Sequence, residues 1–344
     1  MVKTLLLLSI QVLYGSKDLG CEKSYNWNVG LDYGILNNRV DGSIEWFKTT
    51  TKGLLFKRTL PITSGLTGWG SPLSIWQNIA ETSNQGVEVT INSHNIKTKD
   101  FSWNTTLSVT WSKEKIEKLP DGDLISENLF VGHSIKSIYG YKYTGIWGTN
   151  TPQDILEAYG VKPGFIQIET LEKDGDGGVH KYSTNDRQVL GHTNPDWIVG
   201  LNNTFTYKNF DLSVMMYGRF DYMVDTGGEW QGGRYMQRKI DYYNENNQDA
   251  EYQKPIYNIG GGDQYYRVLG YKKGSFLKVR NISLGYTFPQ KLINKWGMSN
   301  LKLYVQAKNP GRIFSNIDFL ELDASQAYTS TWNRGFTVGL NVGF

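Results

Sequence analysis

Apolar residues recur at every second position in several stretches of the chain, as in strands with one apolar and one polar face. The clearest run closes the sequence, where Phe336, Val338, Leu340, Val342 and Phe344 alternate with Thr337, Gly339, Asn341 and Gly343. Trp103-Thr105-Leu107-Val109-Trp111, Val87-Val89-Ile91, Leu301-Leu303-Val305-Ala307 and Trp27-Val29-Leu31-Tyr33 repeat the pattern. Phe210-Leu212-Val214-Met216 does so too, followed in phase by Gly218 and Phe220. Around residues 276–288 the phase slips: Leu277 and Val279 share one face, then Ile282, Leu284, Tyr286 and Phe288 the other. A bulge near Asn281 accounts for that slip.

Such strands suit either a soluble β-sandwich, with the apolar face in a core, or a membrane barrel, with that face toward lipid. Three features favour the barrel. The strands run to about 8–12 residues, enough to cross a bilayer at a tilt. The other face is mostly small and uncharged (Thr, Ser, Asn, Gly) where a solvated soluble face would carry Lys and Glu. Aromatics mark strand ends, as with Trp103 and Trp111, Tyr33, Tyr207 and Tyr286, where interfacial girdles form.

Connections come in two sizes. Residues 34–39, 94–100 and 208–209 are short turns, whereas 52–80, 114–136, 148–194 and 222–274 are long and polar. Short turns on one side and long loops on the other is the barrel arrangement. The fold class expected is therefore all-β: part of a transmembrane antiparallel β-barrel, with about ten strands and long extracellular loops.

Composition removes competitors. Of 344 residues, 39% are hydrophobic and 14% aromatic, with 38 glycines, and no apolar run reaches the 18 residues of a membrane helix. A net charge of +3 gives no reason to expect nucleic acid, and the single cysteine, Cys21, excludes an internal disulfide or a thiolate metal cluster. The terminal residue Phe344, with Val342, Gly339 and Thr337 at fixed offsets before it, resembles the closing strand by which outer-membrane barrels are recognised for assembly, departing from it at Val342, where a second aromatic is usual.

Several stretches, taken in order, carry a family resemblance. They include LGCEKSYNWNVGLDYGILNNRVDGSIEWFKTTTKGLL and NQGVEVTINSHNIKTKDFSWNTTLSVTWSKEKIEKL, then NDRQVLGHTNPDWIVGLNNTFTYKNFDLSVMMYGRF, DAEYQKP, SFLKVRNISLGYTFP and NLKLYVQAKN. Together they resemble the C-terminal barrel portion of SusC/RagA-family TonB-dependent outer-membrane transporters, over residues 19–344. The resemblance implies import of glycans, or less often peptides, across the outer membrane of a Gram-negative bacterium of the Bacteroidetes. Implied partners are a SusD-like surface lipoprotein, the barrel-assembly machinery and the lipid bilayer, with the TonB complex reached only through a plug and N-terminal region that have no counterpart here. A plugged barrel of about 22 strands is the family's form, so the chain is expected to be a fragment unable to transport alone. Residues 1–18 read as a signal-like leader or as a gene-boundary artefact.

Candidate chemistry is sparse, and no enzyme activity is expected. His94, His133, His180 and His192 have neither metal nor nucleophile spacing, and Gly260-Gly261-Gly262 is a flexible loop. Glu172, Asp174, Asp176 and Gly177 follow a calcium-loop rhythm; Ser183 occupies the twelfth position, with Asp186 three residues on as the missing carboxylate. A structural calcium and a simple acidic turn both fit; no other cofactor is expected. Trp69, Trp76, Trp147, Trp230, Tyr235, Tyr242 and Tyr243 lie in long loops and are candidate platforms for sugar faces, or else packing within those loops. The competing function is a secreted, soluble β-sandwich that binds carbohydrate.

Overall fold

The computed structural model describes residues 19–59, 67–68, 71–72, 74–120, 122–171, 181–226, 240–255, 263–323 and 332–344. In chain order its strands begin with β1 (Lys23–Ile35), β2 (Val40–Thr59), β3 (Thr67–Gly68), β4 (Ser71–Pro72), β5 (Ser74–Lys97) and β6 (Phe101–Lys118). Then come β7 (Ser137–Tyr141), β8 (Tyr143–Ile146), β9 (Ile166–Ile168), β10 (Arg187–His192), β11 (Trp197–Tyr207) and β12 (Phe210–Phe220). The last are β13 (Met223–Asp225), β14 (Tyr271–Lys273), β15 (Phe276–Thr287), β16 (Asn300–Ser315) and β17 (Gly335–Gly343). Two short helices, α1 (Gln153–Tyr159) and α2 (Gln290–Ile293), lie between strands.

Nine of these strands form one sheet in the order β1-β2-β5-β6-β11-β12-β15-β16-β17, and the others pair in twos: β3 with β4, β7 with β10, β8 with β9, β13 with β14. The large sheet follows chain order, which hairpin connections produce without crossovers. Contacts divide the chain into two compact units. One takes residues up to Val29, Trp46–Gly86 and Lys113–Ile135; the other takes Gly30–Glu45, Val87–Ser112 and Lys136–Phe344.

Within the second unit, strand register lines the apolar residues into rows. Trp103, Phe205, Leu212, Leu284, Val305 and Val338 are successive cross-strand partners across six strands. Phe101, Tyr207, Phe210 and Tyr286 form an aromatic row beside it, at the short-turn end. Ring pairs follow, Phe210 with Tyr286 at 4.7 Å and Trp103 with Phe205 at 5.6 Å. At the other end Trp111 meets Trp197 at 6.3 Å. Trp103 and Trp111 are eight residues apart, about 26 Å along a strand at about 3.3 Å per residue.

This apolar face is bare. Val338 is 70% exposed, Leu340 64% and Leu284 47%. A continuous patch across six strands exceeds what a protein leaves in water, and its rim of aromatics matches a lipid-facing band. The opposite face carries rows such as Thr204, Ser213, Ser283, Gln306 and Thr337. Ser213 donates to Asn202 (3.0 Å), Thr106 to Asn92 (3.1 Å) and Asn92 to Asp41 (3.0 Å), as suits a wet surface.

The phase slip in β15 is a bulge. Pairing with β12 steps from Met215–Asn281 to Met216–Val279, and pairing with β16 shifts at the same place, so Arg280 is the extra residue, and Leu277 and Val279 lie on the same face as Ile282 and Leu284, not the opposite one. Two expectations need correction. Strand lengths of 8–12 hold for β11, β12, β15 and β17, but β2 has 20 residues, β5 has 24, β6 has 18 and β16 has 16. Accordingly, Lys52–Thr59 and Ser74–Ala80, read as loop, are strand, as are Glu114–Lys118. Strict apolar alternation is imposed where one face meets lipid; strand that continues beyond the band loses it, and its apolar residues pack locally, as Leu54 and Phe56 do with Ala80 and Ile116.

Turn chemistry fixes the short-turn end. Leu36, Asn37 and Asn38 all have positive φ (56°, 56° and 58°), a conformation Asn tolerates and Leu resists. Lys208 (φ 51°) turns β11 into β12, and its N–H donates to Asp100 O of the neighbouring turn at 2.8 Å. Asn209 donates to Thr287 O at 2.6 Å, so adjacent turns are stitched in series.

Candidate functional site

In the second unit the connection between β6 and β11 and that between β12 and β15 fold on one another. Ile166 and Ile168 of β9 share a buried cluster with Tyr252, Tyr265, Val268 and Leu269 from the other connection. Asp263 joins them at backbone level: its carboxylate accepts the N–H of Ile166 and, at 2.9 Å, that of Tyr265. Burial pushes the Asp263 carboxyl up, and these two N–H donors oppose the shift. Lys272 of β14 pairs with Glu251 at 2.8 Å and lies over the Tyr252 ring at 4.8 Å.

An aromatic series runs through the cluster. Trp147 meets Tyr159 at 5.1 Å, Tyr159 meets Tyr182 at 4.9 Å, Tyr182 meets Tyr265 at 5.3 Å and Tyr265 meets Tyr141 at 5.1 Å. Burial pushes the hydroxyls of Tyr182 and Tyr265 up to about 12. Beside it, His192, Asp221, Tyr222, Lys273 and Ser275 help line a cleft of about 480 Å³. Burial drives the Tyr222 hydroxyl upward as well, and its oxygen has no hydrogen-bond partner among the described residues.

The connection from β16 to β17 is held by buried charge. Lys278 of β15, whose side chain is 2% exposed, lies 3.0 Å from Glu321 and 2.9 Å from Asp323. Asn309 donates to the same Glu321 oxygen at 3.1 Å, and Arg219 of β12 lies 3.4 Å from Asp323. A buried ammonium between two carboxylates is tolerated because each partner compensates the others' desolvation. Ile317, Leu320 and Leu322 pack nearby against Tyr222, Val224 and Phe276.

The aromatic platforms expected from sequence divide. Trp76 of β5 is 52% exposed and Tyr242 40%, whereas Trp147 is 6% and Tyr243 3% exposed. Trp147 and Tyr243 come together through Gly164, whose N–H donates to Trp147 O at 2.7 Å. A Cβ at Gly164 would lie 2.8 Å from the Tyr243 ring. Trp69, Trp230 and Tyr235 lie outside the described residues, as do Glu172, Asp174 and Asp176 of the acidic loop. Asp186 is fully buried; its two oxygens accept N–H bonds from Leu171 (2.9 Å) and Ser183 (2.7 Å). With Ser183 it closes a capping box. No cluster of three or more His, Cys, Asp or Glu side chains suited to a metal exists among the described residues.

On β17, Thr337 pairs with Gln306, Gly339 with Tyr304 and Val342 with Leu301, while Phe344 is 88% exposed. The Tyr304 ring covers Gly339 so closely that a Cβ there would lie 2.4 Å from it. An aromatic lying over a cross-strand glycine restores the packing that the missing side chain forgoes. Sequence reasoning missed the charged members of the polar face, Asp211, Arg219, Lys278, Arg280 and Lys302. Their signal was present: ionisable residues at the polar phase of membrane strands point to function or pairing.

Comparison with known proteins follows these features. Residues 9–309 match the family model described as TonB dependent receptor-like, beta-barrel. TonB-dependent receptor P3 of Formosa agariphila is 29% identical over 96% of this chain and 35% of its own length. TonB-dependent receptor SusC of Bacteroides thetaiotaomicron is 27% identical over 86% of this chain and 29% of its own. Among solved structures, the RagAB peptide transporter superposes with a TM-score of 0.72 at 19% identity, covering 94% of this chain and 35% of that one. The RagAB peptide importer in its open-open state gives 0.73 at 20% identity, covering 95% and 35%. The chain thus spans about a third of the length of the relatives it matches. With strands, register and a bare apolar band in agreement with that match, the chain belongs to the TonB-dependent receptor-like β-barrel family and forms part of such a barrel.

Proposed function

We propose that the chain supplies barrel wall to a SusC-type importer of oligosaccharides in the outer membrane of a Gram-negative bacterium of the Bacteroidetes. The observation that carries this reading is the sheet's two-sidedness: an uncovered apolar row from Trp103 to Val338, backed by a row of hydroxyls and amides. A wall with these faces holds lipid off a watery path. The SusC and P3 relatives supply the setting. In that setting a SusD-like surface lipoprotein closes the mouth, and the TonB complex acts through a plug and N-terminal region. The assembly machinery engages β17 through Thr337, Gly339, Val342 and Phe344. Of the candidate platforms that are described, Trp76 and Tyr242 are the exposed ones, open to a sugar face. The chemistry asked of the chain is passage, not turnover.

Deleting the gene for the whole importer to which this wall belongs tests the reading. Growth on one class of oligosaccharide should be lost while growth on its monosaccharide persists, and the protein should fractionate with the outer membrane. Loss of growth on peptides alone would move the cargo to the class named for the RagAB relatives. Unchanged growth on both would overturn import.

A further inference from the structure

We propose that Arg280 is a docking point for an anionic substituent of the cargo, a carboxylate or a sulfate, on the polar face of the sheet; this rests on the import reading above. Tyr217 belongs to that face, because Phe210, Leu212, Val214 and Met216 take the apolar one. Two guanidinium groups lie over its ring, Arg219 at 5.6 Å and Arg280 at 5.0 Å. They are not equivalent. Arg219 is committed: its Nε donates to the Tyr217 hydroxyl at 2.8 Å and its Nη2 faces Asp323 at 3.4 Å. The nearby acids, Glu321 and Asp323, are shared between Lys278 and Arg219. Arg280 is exposed, and no carboxylate among the described residues lies within ion-pairing distance of it.

The bulge explains how the cation comes to be there. Upstream, Phe276 and Lys278 take the polar face; downstream, Ile282, Leu284 and Tyr286 take the apolar one. Under strict alternation Arg280 and Ile282 would share a face. The extra residue lets the guanidinium stay on the wet side while the next apolar residues turn to lipid, the re-aiming for which bulges serve. Lys308, the partner of Asn281, is a second exposed cation one step from apolar-face Ala307. A planar guanidinium matches carboxylate or sulfate with paired hydrogen bonds. Stacking on Tyr217 orients it beforehand and lowers the entropy lost on binding.

The whole chain, refolded in lipid, can be treated with phenylglyoxal and the modification at each arginine read by peptide mass spectrometry. Trigalacturonate and a sulfated disaccharide serve as anionic probes, and maltotriose as the neutral one. Labelling of Arg280 should fall several-fold with an anionic probe and not with maltotriose, while labelling of Arg219 stays constant. Protection by only one anion still supports the site and names its group. In Arg280→Gln, affinity for the protecting anion should drop about tenfold, the loss of one charge-assisted pair. Arg280 labelling indifferent to both anions, or equal affinity in R280Q, would overturn the proposal. Neither readout requires transport, so the site can fail while import stands, and the reverse.

Discussion

Asp211 and Lys302 pair at 2.8 Å although they sit on β12 and β16, with β15 between them. The bond is open because the residue beneath it is Gly285, the cross-strand partner of Asp211. A Cβ at that position would lie 2.4 Å from Lys302 Cε and 2.7 Å from an Asp211 oxygen. The glycine is a gap through which two side chains meet over a strand. Gly285→Ala should therefore act as a loss of the ion pair. Each side chain is about a third exposed, so a double-mutant cycle with D211N and K302M should give about 0.2–1 kcal/mol of coupling. In the G285A background the coupling should vanish; coupling that survives there would disprove the role of the gap.

The loop between β16 and β17 depends on Lys278. Removing its charge with K278M leaves Glu321 and Asp323 poorly compensated in a buried site, which should cost about 3–5 kcal/mol. Restoring neutrality in K278M/E321L, which keeps Asp323 opposite Arg219, should recover most of that loss. Urea unfolding in micelles measures both, and equal stability of the single and double variants would contradict the account.

The loop cluster should be labile to alkali. Burial raises Tyr182 and Tyr265 from the ordinary 10.0 to about 12, so between these values the folded state holds protons that the unfolded state has released. Stability contributed by these hydroxyls is complete below pH 10 and falls as pH rises toward 12. Absorbance of tyrosinate should show most tyrosines titrating near pH 10 and a late step that coincides with loss of loop structure. Replacing both with Phe should remove that step.

Aromatics in the loops should separate by mutation as they do by burial. W147A and Y243A empty packed sites and should lower loop stability by about 3–5 kcal/mol. W76A and Y242A alter exposed rings and should stay within about 0.5 kcal/mol of the parent. Hydrogen exchange at Ile166 and Ile168 reads the first pair. If W76A and Y242A weaken binding of an oligosaccharide without that structural change, their role is contact with cargo.

Much of the sheet was legible in sequence because lipid imposes a strict rule on alternate residues. Leu301 to Ala307, Phe210 to Met216 and the closing strand are all recovered, and the slip near Asn281 is a bulge one residue away, at Arg280. Outside the band no such rule applies. The far halves of β2 and β5 keep no strict apolar alternation, although Leu54, Phe56 and Ala80 pack there, and therefore look like loop. The site was harder to read because its contacts join distant residues. Nothing local announces that Asp263 will bind the backbone of Ile166, 97 positions away, or that Glu321 will meet Lys278. Exposure of an aromatic is equally nonlocal, which is why Trp76 and Trp147 looked alike in sequence and differ in the fold.

The central claim is that one face of this sheet meets lipid and the other meets water. Single cysteines introduced at positions 337 to 341 in a Cys21→Ser background, spin-labelled and reconstituted in bilayers, test it directly. V338C and L340C should be accessible to oxygen and shielded from a water-soluble nickel complex, while T337C and N341C should show the reverse. Accessibility that fails to alternate along β17, or that favours the nickel complex at Val338 and Leu340, would contradict the account.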